Sequence, residues 1–104
     1  AGFNLNLPLP LGTADARWLE AVEAGVARVA AFAPDVVALA LGLDVHENDP
    51  LRGFAVSTAG IREAGRRLAG LPAPIAIIQE GGYGSDALAD NFEAFLRGLL
   101  DARG

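Results

Sequence analysis

The sequence predicts an α/β protein in which helices alternate with the strands of a parallel sheet. Two short runs, 36–41 and 74–78, are continuously apolar, as strands buried on both faces of a parallel sheet are. Three longer segments repeat their apolar residues at helical spacing. Strands that are separated by helices pair in parallel through right-handed crossovers. We therefore predict the order β-α-β-α-β-α, with crossover helices on both faces of the sheet.

The first strand and the first helix are predicted in the N-terminal third of the chain. Apolar and amide side chains alternate over Phe3–Leu7, and Pro8 and Pro10 would stop a strand there. Thr13 is a candidate N-cap of the helix, and Pro34 forbids its continuation. The apolar positions of this helix, which we expect to face the core, are Trp18, Leu19, Val22, Val26, Val29 and Phe32.

The remaining elements follow the same logic. The run 36–41 is predicted as the second strand, and Thr58 is a candidate cap for the second helix, which Pro72 ends. The β-branched run 74–78 is predicted as the third strand. A helical pattern starts again at Asp86 and continues to the end of the chain.

Length, charge and composition limit the kind of protein. With 104 residues and a half-apolar composition, residues 1–104 are predicted as a single segment, one domain or part of one. The net charge is −5 and the arginines, the only basic residues, are scattered, which argues against a nucleic-acid partner. No apolar run approaches the roughly 20 residues that cross a bilayer, so we expect no membrane partner and a cytoplasmic location.

Two polar loops follow the second and third predicted strands, at 42–56 and 79–86. In an open parallel sheet, functional groups collect beyond the carboxyl ends of the strands, so these loops should meet at one edge. Asp44 could bind a cation there. Tyr83, the only tyrosine, lies between glycines and could donate a hydrogen bond to a substrate oxygen.

Other interpretations of these residues stay open at this point. Asp44 could instead accept backbone hydrogen bonds in its loop. His46 could be a metal ligand in an Asp-x-His pair, or a solvated side chain. The glycine-rich stretch 80–84 could cradle a phosphate at a helix N-terminus, although it lacks the established phosphate-binding motifs. Asp15, Glu20, Glu23 and the helical arginines are interpreted as a solvated face.

Three stretches of the chain resemble the histone deacetylase and acetylpolyamine amidohydrolase family. They are "GFNLNLPLPLGT" at 2–13, "LGLDVHENDPL" at 41–51 and "QEGGYGSDAL" at 79–88, and they occur in the family's order. The resemblance is strongest to the bacterial acetylpolyamine-amidohydrolase-like subgroup. Leu43 departs from the phenylalanine that usually precedes the aspartate.

The resemblance implies a zinc-dependent removal of an acetyl or acyl group from an amine such as acetyl-lysine or an acetylpolyamine. In the family, two aspartates and one histidine hold Zn²⁺, and Asp44 matches the later aspartate. Tyr83 matches the tyrosine that stabilises the oxyanion. The resemblance further implies that Leu51 lines the acyl pocket and that Gly82 lets the substrate's stem pass close to the backbone, while His46 matches a position with no ligand role.

The single histidine limits what the chain can do by itself. The family's general-base pair of histidines and its other metal ligands have no counterpart here. We therefore expect the C-terminal part of a longer deacetylase with an arginase/deacetylase-type fold, inactive alone and completed by the rest of the parent domain. A homo-oligomer is compatible with this expectation. The alternative is a non-enzymatic α/β binding module that retains the deacetylase C-terminal architecture.

Overall fold

The computed structural model describes residues 2–104, which form three helices and two strands. The elements run in the order α1 (Asp15–Phe32), β1 (Val37–Gly42), α2 (Thr58–Leu68), β2 (Ile75–Glu80) and α3 (Leu88–Arg103). The strands pair in parallel, from Val37 opposite Ile75 to Gly42 opposite Glu80, and α2 is the crossover between them. The predicted α/β class and the parallel pairing are confirmed. Within residues 2–104, no helix is long and apolar enough to cross a membrane.

The strand predicted at Phe3–Leu7 is wrong. This segment has no strand partner in the described part of the chain, and it lines one cavity together with α1 and the start of β1. The ring of Phe3 meets that of Phe32 edge-on at a centroid distance of 6.3 Å, and Arg28 donates a hydrogen bond to the carbonyl of Gly2 at 2.8 Å. Alternation of apolar and polar side chains does not show that a neighbouring strand is present, and a β-ladder forms only with such a strand.

Only one face of the two-stranded sheet is covered by the described residues. Leu39 and Leu41 of β1 and Ile77 of β2 point into the core, whereas Ala40 and Ile78 on the opposite face are exposed. The expected burial of both strand faces, with helices on each, is therefore not met within residues 2–104. Both runs are continuously apolar, and that pattern cannot show which part of a protein covers the second face.

The core lies between the covered face of the sheet and the helices. Its buried apolar side chains are Leu41, Leu43, Val56, Ile61, Ala64, Phe95 and Leu99. Helices α2 and α3 approach each other most closely where Gly65 and Gly98 replace side chains with bare backbone. A Cβ atom on Gly98 would overlap the carbonyl oxygen of Arg62, so only glycine permits this crossing.

Two predicted helix caps are displaced by one residue. The N-cap of α1 is Ala14, because the hydroxyl of Thr13 donates to the carbonyl of Pro10 at 2.6 Å instead of capping the helix. The N-cap of α2 is Ser57, and Thr58 is its first residue.

Asp15 caps a helix other than its own. Its carboxylate accepts hydrogen bonds from the backbone N–H of Ser57, at 2.7 Å, and from the Ser57 hydroxyl. The Ser57 Oγ atom in turn accepts from the backbone N–H of Gly60 at 3.0 Å. A negative charge is thus held at the N-terminus of α2, which the helix dipole favours. The interpretation of Asp15 as part of a solvated face is wrong.

Candidate active site

The two polar loops meet at the edge of the sheet where β1 and β2 end. Gly42 and Glu80, the last residues of the strands, are paired in the ladder, and the backbone N–H of Leu43 donates to the carbonyl of Glu80 at 3.3 Å. The chain therefore leaves both strands side by side. As predicted, Asp44 and Tyr83 follow neighbouring strands at the same edge.

Three glycines shape the second loop. Gly81, Gly82 and Gly84 have φ angles of +79°, +81° and +84°, a region in which residues with a Cβ atom are strained. Gly82 is buried against Leu43, and a Cβ atom on it would lie 3.0 Å from Leu43 Cβ and 3.1 Å from the Leu43 carbonyl oxygen. The second loop therefore packs directly on the first loop through bare backbone.

The carboxylate of Asp44 lies in the crevice between the loops. Its Oδ1 atom is 3.1 Å from the position of a Cβ on Gly42 and 3.2 Å from that of a Cβ on Gly81. Asp44 is exposed, and the polar side chains beside it, His46 and Asp49, have hydrogen-bond partners. Among the described residues, no such bond ends on the Asp44 carboxylate. The alternative in which Asp44 serves to hold its loop together is not supported, and the carboxylate is available as a ligand.

Asp49, and not Asp44, is the aspartate that accepts a backbone hydrogen bond within this loop. Asp49 is buried, and its Oδ2 atom accepts the backbone N–H of Leu51 at 2.9 Å. This bond closes the turn in which the chain reverses before Arg52, whose φ angle is +51°. The turn leaves the side chain of Leu51 81% exposed at the rim.

Tyr83 also stands at the rim, with 67% of the residue exposed. The turn that follows it is closed by the Ser85 backbone N–H, which donates to the Gly82 carbonyl at 3.4 Å. Gly84 packs next to Pro50, since a Cβ on it would lie 3.5 Å from Pro50 Cγ. Tyr83 is therefore carried by a loop that rests on the loop of Asp44. The roles predicted for Tyr83, Leu51 and Gly82 stay predictions.

His46 is neither a metal ligand nor a solvated side chain. It is 3% exposed, its Nδ1 atom accepts from the backbone N–H of Asn48 at 3.2 Å, and its Nε2 atom lies 3.1 Å from the Thr58 hydroxyl. Because both ring nitrogens have protein partners, neither is free for a metal. Thr58 donates onward to Asn91 of α3 at 2.7 Å. No spacing in the sequence indicated the contacts of Thr58 and Asn91. Threonine before a helix is typical of an N-cap, and Asn91 is an isolated polar residue among the apolar positions of the third helix.

The phosphate-cradle alternative does not fit the glycine-rich loop. Helix α3 begins at Leu88, four residues beyond Gly84, so the glycines do not form its N-terminus. The nearby backbone N–H of Ala87 is bonded to Ser85 Oγ at 3.2 Å, and Asp90 brings negative charge to the first turn. These features disfavour an anion at this helix end.

Asp44 suits one position of a zinc site but cannot make a site alone. Within residues 2–104, no group of three or more histidine, cysteine, aspartate or glutamate side chains is placed to hold a metal ion. A catalytic zinc site needs three protein ligands, and the free carboxylate of Asp44 is the right donor type for one. A zinc site that used Asp44 would therefore need ligands from outside the described residues.

Comparison with known proteins shows the family to which the chain belongs. The family model of the histone deacetylase domain matches residues 1–99. An acetylpolyamine amidohydrolase from Burkholderia pseudomallei is 39% identical over 103 residues, which are 99% of this chain and 30% of that protein. Histone deacetylase 8 from Arabidopsis thaliana is 35% identical over 105 residues, 95% of this chain and 28% of that protein.

Solved structures show the same similarity. A crystal structure of the Burkholderia pseudomallei acetylpolyamine aminohydrolase aligns over 99% of this chain and 30% of its own, with a TM-score of 0.92 and 39% identity. The histone deacetylase Clr3 aligns over 96% of this chain and 17% of its own, with a TM-score of 0.84 and 26% identity. The chain spans less than a third of the length of the curated relatives described above. On the match of nearly its whole length, the chain belongs to the histone deacetylase domain family.

Proposed function

We propose that the protein to which this chain belongs is a zinc-dependent amidohydrolase that removes an acetyl or related acyl group from an amine. The observation that carries the proposal is the packing of the two loops: Asp44 and Tyr83 follow paired parallel strands, and Gly82 presses the second loop onto Leu43 of the first. A carboxylate ligand and a hydroxyl donor at one edge are two parts that zinc-assisted amide hydrolysis uses. The names of the relatives, acetylpolyamine amidohydrolase and histone deacetylase, agree with this reaction.

Asp44 would supply one anionic ligand to the metal. Zinc bound there would polarise the amide carbonyl and lower the pKa of a bound water. The other protein ligands and the proton-transfer groups would come from the rest of the parent domain, because the only histidine of this chain, His46, is already bonded through both nitrogens. On this proposal the 104-residue chain alone is inactive and binds zinc weakly.

Tyr83 would donate its hydroxyl proton in a hydrogen bond to the substrate's carbonyl oxygen as negative charge develops there. The glycines on either side leave the ring free of bulky neighbours, and the exposed position allows the hydroxyl to turn toward the crevice. A donor of this kind stabilises the transition state by about 3 kcal/mol. Leu51 would line the acyl pocket from the opposite rim, and Gly82 would allow the substrate's stem to pass close to the backbone.

The charge of the rim favours a cationic amine as the substrate. Besides Asp44, the two loops expose the carboxylates of Glu47, Glu80 and Asp86, against the single arginine Arg52. An excess of negative charge around a cleft attracts cations and raises their local concentration. An acetylated polyamine, which keeps at least one ammonium group, fits this rim better than a neutral or anionic amide. We infer a cytoplasmic location for such a reaction.

The test uses the full-length natural protein that contains this chain. Turnover of a monoacetylated polyamine and of an acetyl-lysine peptide is measured before and after removal of zinc by a chelator. We expect the polyamine to be hydrolysed, with activity lost on chelation and restored by added zinc. Asp44→Asn should lower both bound zinc and activity, with partial recovery at high zinc, because an anionic ligand is lost.

Glu47→Gln is the matched control, since it removes one negative charge from the same loop at an exposed position. It should keep full zinc content. Failure of a folded, zinc-supplemented protein to hydrolyse either substrate would contradict the proposal. That result would favour the alternative, a non-enzymatic module that binds a partner through the same rim.

A further inference from the structure

A buried chain of hydrogen bonds joins the Asp44 loop to two helices. It runs from the backbone N–H of Asn48 to the ring of His46, from the ring to the hydroxyl of Thr58 at the start of α2, and from that hydroxyl to Asn91 Oδ1 in α3. His46 is 3% exposed and Asn91 is 1% exposed. Buried polar groups that are fully satisfied hold their surroundings in one arrangement.

The direction of this series of hydrogen bonds follows from the backbone N–H of Asn48, which can act only as a donor. The backbone N–H of Asn48 must donate, so Nδ1 of His46 must be unprotonated and Nε2 must carry the proton. Nε2–H then donates to Thr58 Oγ1, which leaves the hydroxyl proton of Thr58 for Asn91 Oδ1. The last step takes the Asn91 atom that faces Thr58 as Oδ1, the orientation that gives the Thr58 hydroxyl proton an acceptor. These contacts therefore place the ring proton of His46 on Nε2.

The ring stabilises the turn that carries Asp44. The backbone N–H of His46 donates to the Leu43 carbonyl at 3.4 Å, and its carbonyl accepts from the Asp49 N–H at 2.9 Å, so His46 lies in the middle of the loop's turns. The carboxylate of Asp44 has no hydrogen bond within the described residues that could orient it, and its position depends on the backbone. Gly82 supports that backbone from the side of the second loop, and His46 anchors it to α2 and α3.

We propose that His46 is a positioning residue for Asp44: through Thr58 and Asn91 it sets the loop so that the Asp44 carboxylate is preorganised for the metal. The inference rests on the proposed function. Residues that orient a metal ligand without touching the metal usually change metal affinity or activity by about 10–100-fold when they are removed. His46 acts through Asp44 and does not touch the metal.

The variant pair Thr58→Val and Thr58→Ser tests the proposal in the full-length protein. Valine has the shape of threonine without the hydroxyl, and serine keeps the hydroxyl. We expect Thr58→Val to weaken zinc binding by about 10-fold or more, measured by competition with a chelator, and Thr58→Ser to restore most of it. If Thr58→Val lowers the melting temperature but leaves the zinc dissociation constant unchanged, the network stabilises only the fold and the proposal is wrong.

A second measurement does not depend on whether the valine variant folds. Nitrogen NMR of the unaltered protein reports which ring nitrogen of each histidine carries the proton, and the signal of His46 is identified by its loss in His46→Gln. We expect the proton on Nε2. A proton on Nδ1 would show that the Asn48 contact is absent and would overturn the proposal.

These results separate the two proposals. If the folded, zinc-supplemented protein hydrolyses neither substrate, the proposed function fails, whatever the state of the His46 ring. If Asp44→Asn removes zinc while Thr58→Val leaves the zinc dissociation constant unchanged, the proposed function stands and only the role of His46 is wrong.

Discussion

Gly82 lies against Leu43 so closely that no side chain fits between them. A Cβ on Gly82 would come within 3.0 Å of Leu43 Cβ, and Leu43 is itself 2% exposed in the core. Leu43 immediately precedes Asp44, and Gly82 immediately precedes Tyr83. This contact therefore fixes the distance between the two loops that carry the proposed ligand and the proposed hydrogen-bond donor.

Gly82→Ala should destabilise the protein by about 2–4 kcal/mol. The φ angle of +81° costs about 1–2 kcal/mol for a residue with a Cβ atom, and the contact with Leu43 adds a cost of overpacking. Gly84→Ala is the control, because its φ angle of +84° carries the same backbone cost while Pro50 is 3.5 Å away. Denaturant unfolding of both variants measures the difference. Equal losses would show that the Leu43 contact is not tight.

Gly98→Ala should be more damaging, with a loss of about 3 kcal/mol or more. The added Cβ would overlap the Arg62 carbonyl oxygen, so α2 and α3 would have to move apart. Gly25→Ala in α1 is the matched control, since no atom beyond its chain neighbours and its own helix backbone lies within 4 Å of the new Cβ. Alanine is the better helix former, and this control should gain about 0.5–1 kcal/mol. If Gly98→Ala left the free energy of unfolding unchanged in the same measurement, the described crossing of α2 and α3 would be contradicted.

Asp15→Ala should lower the free energy of unfolding by about 1.5–3 kcal/mol, since the carboxylate accepts two hydrogen bonds from Ser57. Glu20→Ala serves as a comparison in the same helix. The side chain of Glu20 is 70% exposed and, among residues 2–104, pairs only with Arg17, so its loss should stay within about 0.5 kcal/mol. If the two variants are equally stable, Asp15 does not cap α2.

The pH dependence of stability should include a small contribution from Glu63. Hydrogen bonds from Arg66 and then Arg67 lower the pKa of Glu63 below its usual range. A lowered folded-state pKa stabilises the protein above the unfolded-state pKa, and that stabilisation is lost as the pH falls through the folded-state value. In Glu63→Gln, unfolding curves between pH 3 and 7 should differ from those of the unaltered protein by less than about 1 kcal/mol, with the difference at the neutral end. A difference in the free energy of unfolding that grows toward acid pH would contradict a lowered pKa of Glu63.

The sequence was informative where a pattern repeats and uninformative where partners are distant. Apolar runs and helical spacing predicted β1, β2 and the three helices, and the rule for parallel sheets placed Asp44 and Tyr83 at one edge. The contacts of Asp15 with Ser57 and of His46 with Thr58 join residues far apart along the chain, and no local spacing encodes them. The strand at Phe3–Leu7 failed for a related reason, since alternation does not supply a partner.

The kinetics of Tyr83→Phe in the full-length protein test the central claim most directly. The substitution removes only the hydroxyl from a residue that is 67% exposed, so the fold and the zinc content should stay unchanged. If the hydroxyl stabilises the developing charge, kcat should fall about a hundredfold or more, with little recovery on adding zinc. An unchanged kcat with only a raised KM would contradict the account, because Tyr83 would then contribute equally to ground-state and transition-state binding.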